Sequence, residues 1–185
     1  MAKNSKALEF IKDLVSTVAI VALVIGIGIA ITGCWPFMVA VESGSMEPNL
    51  MPGDVVILMH PSRVGLITWT EGKERDYKSF GEYGDVIVYY PNGLGKPIIH
   101  RAIAYVEKGD RIPVLSGGKL SYSDTFAEID GYITQGDANR VPDQLAVLRF
   151  SERTEKVLPV QKDWIVGVAK LRIPIIGYLR LLIPI

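Results

Sequence analysis

Apolar and polar positions divide this chain into two regimes. From Leu14 through Val41 no Asp, Glu, Lys or Arg occurs, whereas beyond Val41 short apolar runs alternate with Gly, Pro and Asp. A helix rises about 1.5 Å per residue, so roughly 20 residues cross the hydrocarbon core of a bilayer. The run Leu14–Ile31 therefore predicts a spanning helix. Gly26 and Gly28 are tolerated in spans, and Trp35 and Phe37 fall where an interfacial aromatic belt belongs. Pro36 is expected to end the helix. The resulting division is a polar segment 1–13, a transmembrane helix 14–35, a domain 36–173 and an apolar segment 174–185. Lys3, Lys6 and Lys12 precede the span, which favours a cytoplasmic N-terminus and puts the domain outside the cell membrane.

Past the span the pattern reads as β. Val55–Met59 follows the turn signature Pro52-Gly53-Asp54, and Asp85–Tyr90 runs from Gly84 to Pro91. Pro97–Val106, Gly131–Thr134 and Trp164–Ala169 are further strand candidates. Short strands divided by turn residues predict a mainly β domain, an antiparallel sheet or small barrel. Residues 61–83 and 109–130 are more polar and read as solvated loops or a hairpin. The segment 174–185, broken by Arg180 and prolines, is too short to span. It packs on the barrel, lies against the bilayer, or is the stub of a second span.

With 185 residues the chain fits one domain and an anchor. Its 20 Lys+Arg balance 20 Asp+Glu, so no basic field draws nucleic acid, and that partner class is set aside. The single cysteine, Cys34, forbids a disulfide within the chain. Cys34 reads either as a small apolar residue near the span or, through Ile31-Thr32-Gly33-Cys34, as the acylated residue of a lipoprotein box. No Cys or His cluster has metal-ligand spacing, and no cofactor is expected.

Candidate chemistry centres on Ser45, a few residues beyond the uncharged run. A serine needs a base to take its proton, and His60 and His100 are the two histidines. His60 precedes Pro61 at a strand end and reads as an exposed or capping residue. His100 lies within a strand, where Ile98, His100, Ala102 and Ala104 share one face and Arg101 the other. That position suits a satisfied core histidine and a base equally. A carboxylate to orient the imidazole is available at Asp137 or Asp143, although Asp-rich turns are commonly only turns.

Taken in chain order, these segments form a pattern. Ser43-Gly44-Ser45-Met46-Glu47-Pro48 follows a span; then come Gly84-Asp85-Val86-Ile87-Val88-Tyr89, His100-Arg101, and Gly136-Asp137-Ala138-Asn139 with Asp143. The combination resembles type I signal peptidases across roughly residues 10–170. His-Arg, where bacterial members have Lys-Arg, places the likeness in the archaeal and endoplasmic-reticulum branch. The stretch between Met59 and Gly84 is longer than the family pattern, and its second, C-terminal span is absent or truncated here.

The resemblance implies a membrane-bound serine endopeptidase of signal-peptidase fold that cuts signal peptides after small residues, typically Ala at the first and third positions before the cut. It makes Ser45 the nucleophile and His100 the base, favours Asp143 as third member with Asp137 a supporting carboxylate, and gives Ser43 and the Ser45 N–H the oxyanion. Met38, Val39, Ala40, Val41 and Glu42, with Pro97, Ile98 and Ile99, would flank the substrate. Signal peptides of preproteins and membrane lipid are the implied partners, with the secretion translocon a further candidate. Two rivals stand beside this reading. One is a Ser–Lys dyad using Lys96, which would need burial. The other is a membrane-anchored or lipidated β-domain that binds partners without catalysis.

Overall fold

The structure, a computed structural model, describes residues 2–150 and 153–174. The apolar segment expected at 174–185 lies outside them from residue 175 on. The N-terminal helix α1 spans Ala2–Thr32, and its portion Leu8–Thr32 is long and apolar enough to cross a membrane by length and composition. The polar start of the chain thus joins the helix instead of forming a separate segment. The helix stops at Thr32, four residues before Pro36. Gly33 takes φ +77°, a left-handed conformation cheap only for glycine, and its N–H closes the last turn on Ile29 O at 2.8 Å.

Among the described residues twelve strands follow: β1 Met38–Ala40, β2 Val55–Met59, β3 Lys78–Ser79, β4 Glu82–Tyr83, β5 Val86–Tyr89, β6 Ile98–Val106, β7 Arg111–Ser116, β8 Lys119–Phe126, β9 Gly131–Gln135, β10 Val147–Phe150, β11 Arg153–Lys156 and β12 Ile165–Ile173. Two helices interrupt them, α2 Pro61–Val64 and α3 Trp69–Arg75. The main sheet has the order β1-β2-β12-β5-β6-β9, antiparallel throughout and curled into a half-barrel. Bulges in β6, between Ala102 and Ala104, and in β12 help bend it. The bulge also breaks the simple alternation expected along β6 beyond Ala102. β12 runs past Ala169 to Ile173 because Lys170 and Arg172, polar in sequence, stay partly or fully exposed while the backbone keeps pairing with β2.

The 61–83 stretch departs from the expected solvated loop. Thr68 and Glu71 form a reciprocal capping box that starts α3. Trp69 is then only 3% exposed and packs with Ile103, Ile112 and Ile133. Fully buried Asp85 ties this stretch down, accepting from Ile67 N at 2.9 Å, Tyr77 OH at 2.8 Å and Lys170 Nζ at 2.7 Å. Burial alone would lower the Lys170 pKa; its bonds to Asp85 and Tyr77 win and raise it. The 109–130 stretch is the hairpin β7–β8.

The pairing leaves two strand edges open. β9 covers β6 only from Arg101 to Val106, so among the described residues no strand pairs with the far edge of Ile98–His100. β1 is the opposite end of the sheet. A cleft of about 750 Å³ lies between these two edges, walled by Met38, Val39 and Ala40 on one side and by Lys96 to His100 on the other.

Candidate active site

Ser45 sits in a 3-10 turn, Gly44–Met46, at the end of the cleft. The next side chain, Met46, is fully buried with Leu50 in the core beside Val56 and Leu58. Burying each such side chain contributes roughly 1.5–3 kcal/mol, so the turn is anchored from beneath while Ser45 faces outward. Its carbonyl accepts from Ala138 N at 2.9 Å.

His100, on β6, brings Nε2 to 2.9 Å from Ser45 Oγ and Nδ1 to 2.7 Å from Asp143 Oδ2. A carboxylate has no proton to give, so Nδ1 carries the hydrogen and donates it to Asp143. Nε2 is left as an acceptor pointing at the Ser45 hydroxyl. Ser43 Oγ lies 3.2 Å from Ser45 Oγ on the solvent side.

Asp143 is 8% exposed and gathers donors on one oxygen. Besides His100, Tyr89 OH and Thr134 Oγ1 each lie 2.7 Å from Oδ2. Gln144 Nε2 donates to Thr134 Oγ1 at 3.2 Å, and Tyr89 OH lies 2.9 Å from the same oxygen. Burial pushes the Tyr89 phenol well above its ordinary pKa, and the nearby Asp143 charge adds to this. Tyr89 therefore stays a donor.

Asp137 does different work. Arg101, fully buried, grips it with Nε to Oδ1 and Nη2 to Oδ2, both at 2.8 Å, and Asn49 Nδ2 donates to Oδ2 at 2.8 Å. Arg101 Nη1 also reaches the carbonyls of Ser79 and Gly84 at 2.9 and 2.8 Å. The loop after β9 thus straddles β6. Asp137 clamps the Arg101 face and, through Asn49, the loop that follows Ser45, while Asp143 holds the imidazole on the other face. His100 accordingly keeps polar company, contrary to the apolar face expected for it.

The structure brings Ser43, Ser45, His100 and Asp143 into one contact chain and leaves Asp137 outside it. Met38, Val39, Ala40, Glu42, Pro97, Ile98 and Ile99 all line the cleft. Val41 does not: it is 2% exposed in the core, and its N–H and C=O bond Asp54 O and Gly53 N at 2.8 and 2.9 Å. The backbone turns there to enter the Ser45 loop. Lys96 precedes β6 and is exposed, so it lacks the burial that a lysine base requires. His60 caps α2, accepting from Ser62 N at 3.2 Å. Cys34 is buried in the core, as a small apolar residue would be. Among the described residues no group of His, Cys, Asp and Glu is arranged to hold a metal. Tyr89, Thr134, Gln144 and Asn49 escape a reading of sequence, since each acts on a partner distant in the chain or buried in an unremarkable strand.

Comparison with known proteins agrees with this architecture. Proteins named signal peptidase complex catalytic subunit SEC11 resemble the chain. The one from Plasmodium falciparum is 34% identical over 91 residues, 49% of this chain and 40% of the relative. Those from Scheffersomyces stipitis and Yarrowia lipolytica are 30% and 29% identical over 146 residues, 79% of this chain and 64% and 62% of theirs. The chain thus spans less than two thirds of the length of these relatives. The family model for signal peptidase, peptidase S26, matches residues 11–172, from within α1 to the end of β12. A match of that extent, over a half-barrel that carries the family's motifs in order, means that the chain belongs to the signal peptidase family.

Proposed function

We propose that this chain is a membrane-bound serine endopeptidase that removes signal peptides from exported preproteins. The observation that carries the reading is the run of contacts from Ser45 Oγ to His100 Nε2 (2.9 Å) and from His100 Nδ1 to Asp143 Oδ2 (2.7 Å), at the end of a cleft bounded by two open strand edges. An extended peptide can lie between such edges and bond both through its backbone. The apolar walls, with Ala40, Val88 and Ile99 among them, suit small side chains before the cut. α1 would cross the membrane with its N-terminus in the cytoplasm, holding the cleft where a signal peptide ends. Preproteins, membrane lipid around α1 and the translocon at the exit are the partners this implies.

Ser45 Oγ attacks the scissile carbonyl as its proton passes to His100 Nε2. Asp143 keeps the imidazole oriented and stabilises its charged form. The oxyanion is met by the Ser45 N–H and the Ser43 hydroxyl, each such donor worth on the order of 3 kcal/mol. His100 then gives the proton to the leaving amine, and the mature protein departs. Water, deprotonated by the same nitrogen, hydrolyses the acyl-enzyme and regenerates Ser45. Incubating the detergent-solubilised full chain with a preprotein and sequencing the product's new N-terminus tests this. A cut after a small residue at the end of the signal peptide is expected; an uncut preprotein contradicts it.

A further inference from the structure

The joint between α1 and the domain is held by more than the connecting chain. Arg63, on α2, sends Nη1 to the carbonyls of Ala30 and Ile31 at 2.6 and 2.7 Å. These lie in the last turn of α1, whose carbonyls lack intrahelical partners and carry the negative end of the helix dipole. The guanidinium stem covers Gly33: a Cβ there would stand 2.5 Å from Arg63 Nε. Beside it, His60 N donates to Thr32 O at 2.8 Å. The Phe37 ring fills a notch at Gly28, where a Cβ would come within 2.6 Å of it. Phe37 O in turn accepts from Leu58 N at 2.8 Å. Pro36 and Met38, flanking Phe37, already line the cleft.

We infer that Arg63 is the clasp that fixes α1 to the cleft-bearing domain at one angle and height, a positioning residue for substrates presented from within a bilayer. This inference rests on the function proposed above. A helix free to swivel at Gly33 would let the cleft tilt away from the lipid surface. A short peptide arriving from solution finds the cleft at any tilt, but a membrane-held preprotein does not. The clasp comes from the 61–83 stretch, so the segment serves the span as well as the core.

The full chain reconstituted in lipid vesicles with a preprotein tests this, alongside a short soluble peptide carrying the same cleavage site. Arg63→Gln is expected to lower kcat/KM on the vesicle-borne preprotein about tenfold, the lower end for a charge-assisted hydrogen bond because the guanidinium is exposed. The soluble peptide should change by less than about twofold, the range of a dispensable surface side chain. Arg63→Lys, which keeps the charge but loses the fork, should recover part of the loss. Spin labels at Leu8→Cys and Lys119→Cys on a Cys34→Ala background should give a broader distance distribution once Arg63→Gln is added. Equal losses on both substrates, or an unchanged distribution, would overturn the clasp. If the parent chain cut neither substrate, the proposed function would fall while the distance measurement still decided the clasp.

Discussion

Gly136 and His100 meet with no room for a side chain between them. A Cβ on Gly136 would stand 2.8 Å from His100 Nε2 and 2.5 Å from Ser45 O. The glycine opening the Gly136-Asp137-Ala138-Asn139 segment is therefore required by the close approach of the Ser45 backbone and the His100 imidazole. Gly136→Ala should displace one of them and lower kcat/KM by on the order of 10²-fold, the usual effect of a shift near 1 Å in a reacting geometry. Far-UV circular dichroism should remain unchanged.

The two carboxylates of this loop should separate cleanly by assay. Asp143→Asn keeps the packing but gives His100 Nδ1 a partner that no longer stabilises its charge, so kcat should fall on the order of 10³–10⁴-fold with little change in melting temperature. Asp137→Ala strands a buried guanidinium and should cost about 3–5 kcal/mol of stability. Denaturant unfolding beside a cleavage assay measures both. The reverse pattern would exchange the roles of the two residues.

Tyr89 adds a pH signature. Burial raises its pKa well above the ordinary phenol value, so the folded chain holds this proton after the unfolded chain has lost it. The contribution to stability is complete below about pH 10 and is lost as pH rises beyond it. Tyr89→Phe should therefore lose less melting temperature than the parent on alkaline titration. At neutral pH the same change removes one donor to Asp143 and should lower kcat about tenfold.

Trp69→Ala should destabilise the fold by about 3–5 kcal/mol, as loss of a buried indole does. A change below 1 kcal/mol would return α3 to the status of a surface excursion.

How much could be read in the sequence depends on how local each cause is. α1 was legible because an uncharged run is a property of neighbours, and the Val55–Met59 and Pro97–Val106 runs carry turn residues at their borders. Trp69 was not, because polar Glu71, Lys73 and Glu74 surround it and only the fold shows that the indole turns inward. Ser45, His100 and the two aspartates could be named, but the residues alone left Asp143 and Asp137 as equal partners for His100, and only the family resemblance favoured Asp143. His100 and Asp143 are 43 positions apart, and the loop's choice of face is set by Arg101 capturing Asp137. α1 ends earlier than Pro36 implies because Gly33, in the left-handed region, stops it first.

If Ser45 and His100 act as one unit on a preprotein, losing both should cost no more than losing either. A double-mutant cycle in the cleavage assay measures this directly, with Ser45→Ala, His100→Ala and the pair compared with the parent chain. Each single change is expected to abolish nearly all cleavage, and the pair to fall no further, since a nucleophile without its base and a base without its nucleophile are equally idle. Substantial cleavage in either single variant, or losses that add in the pair, would contradict it.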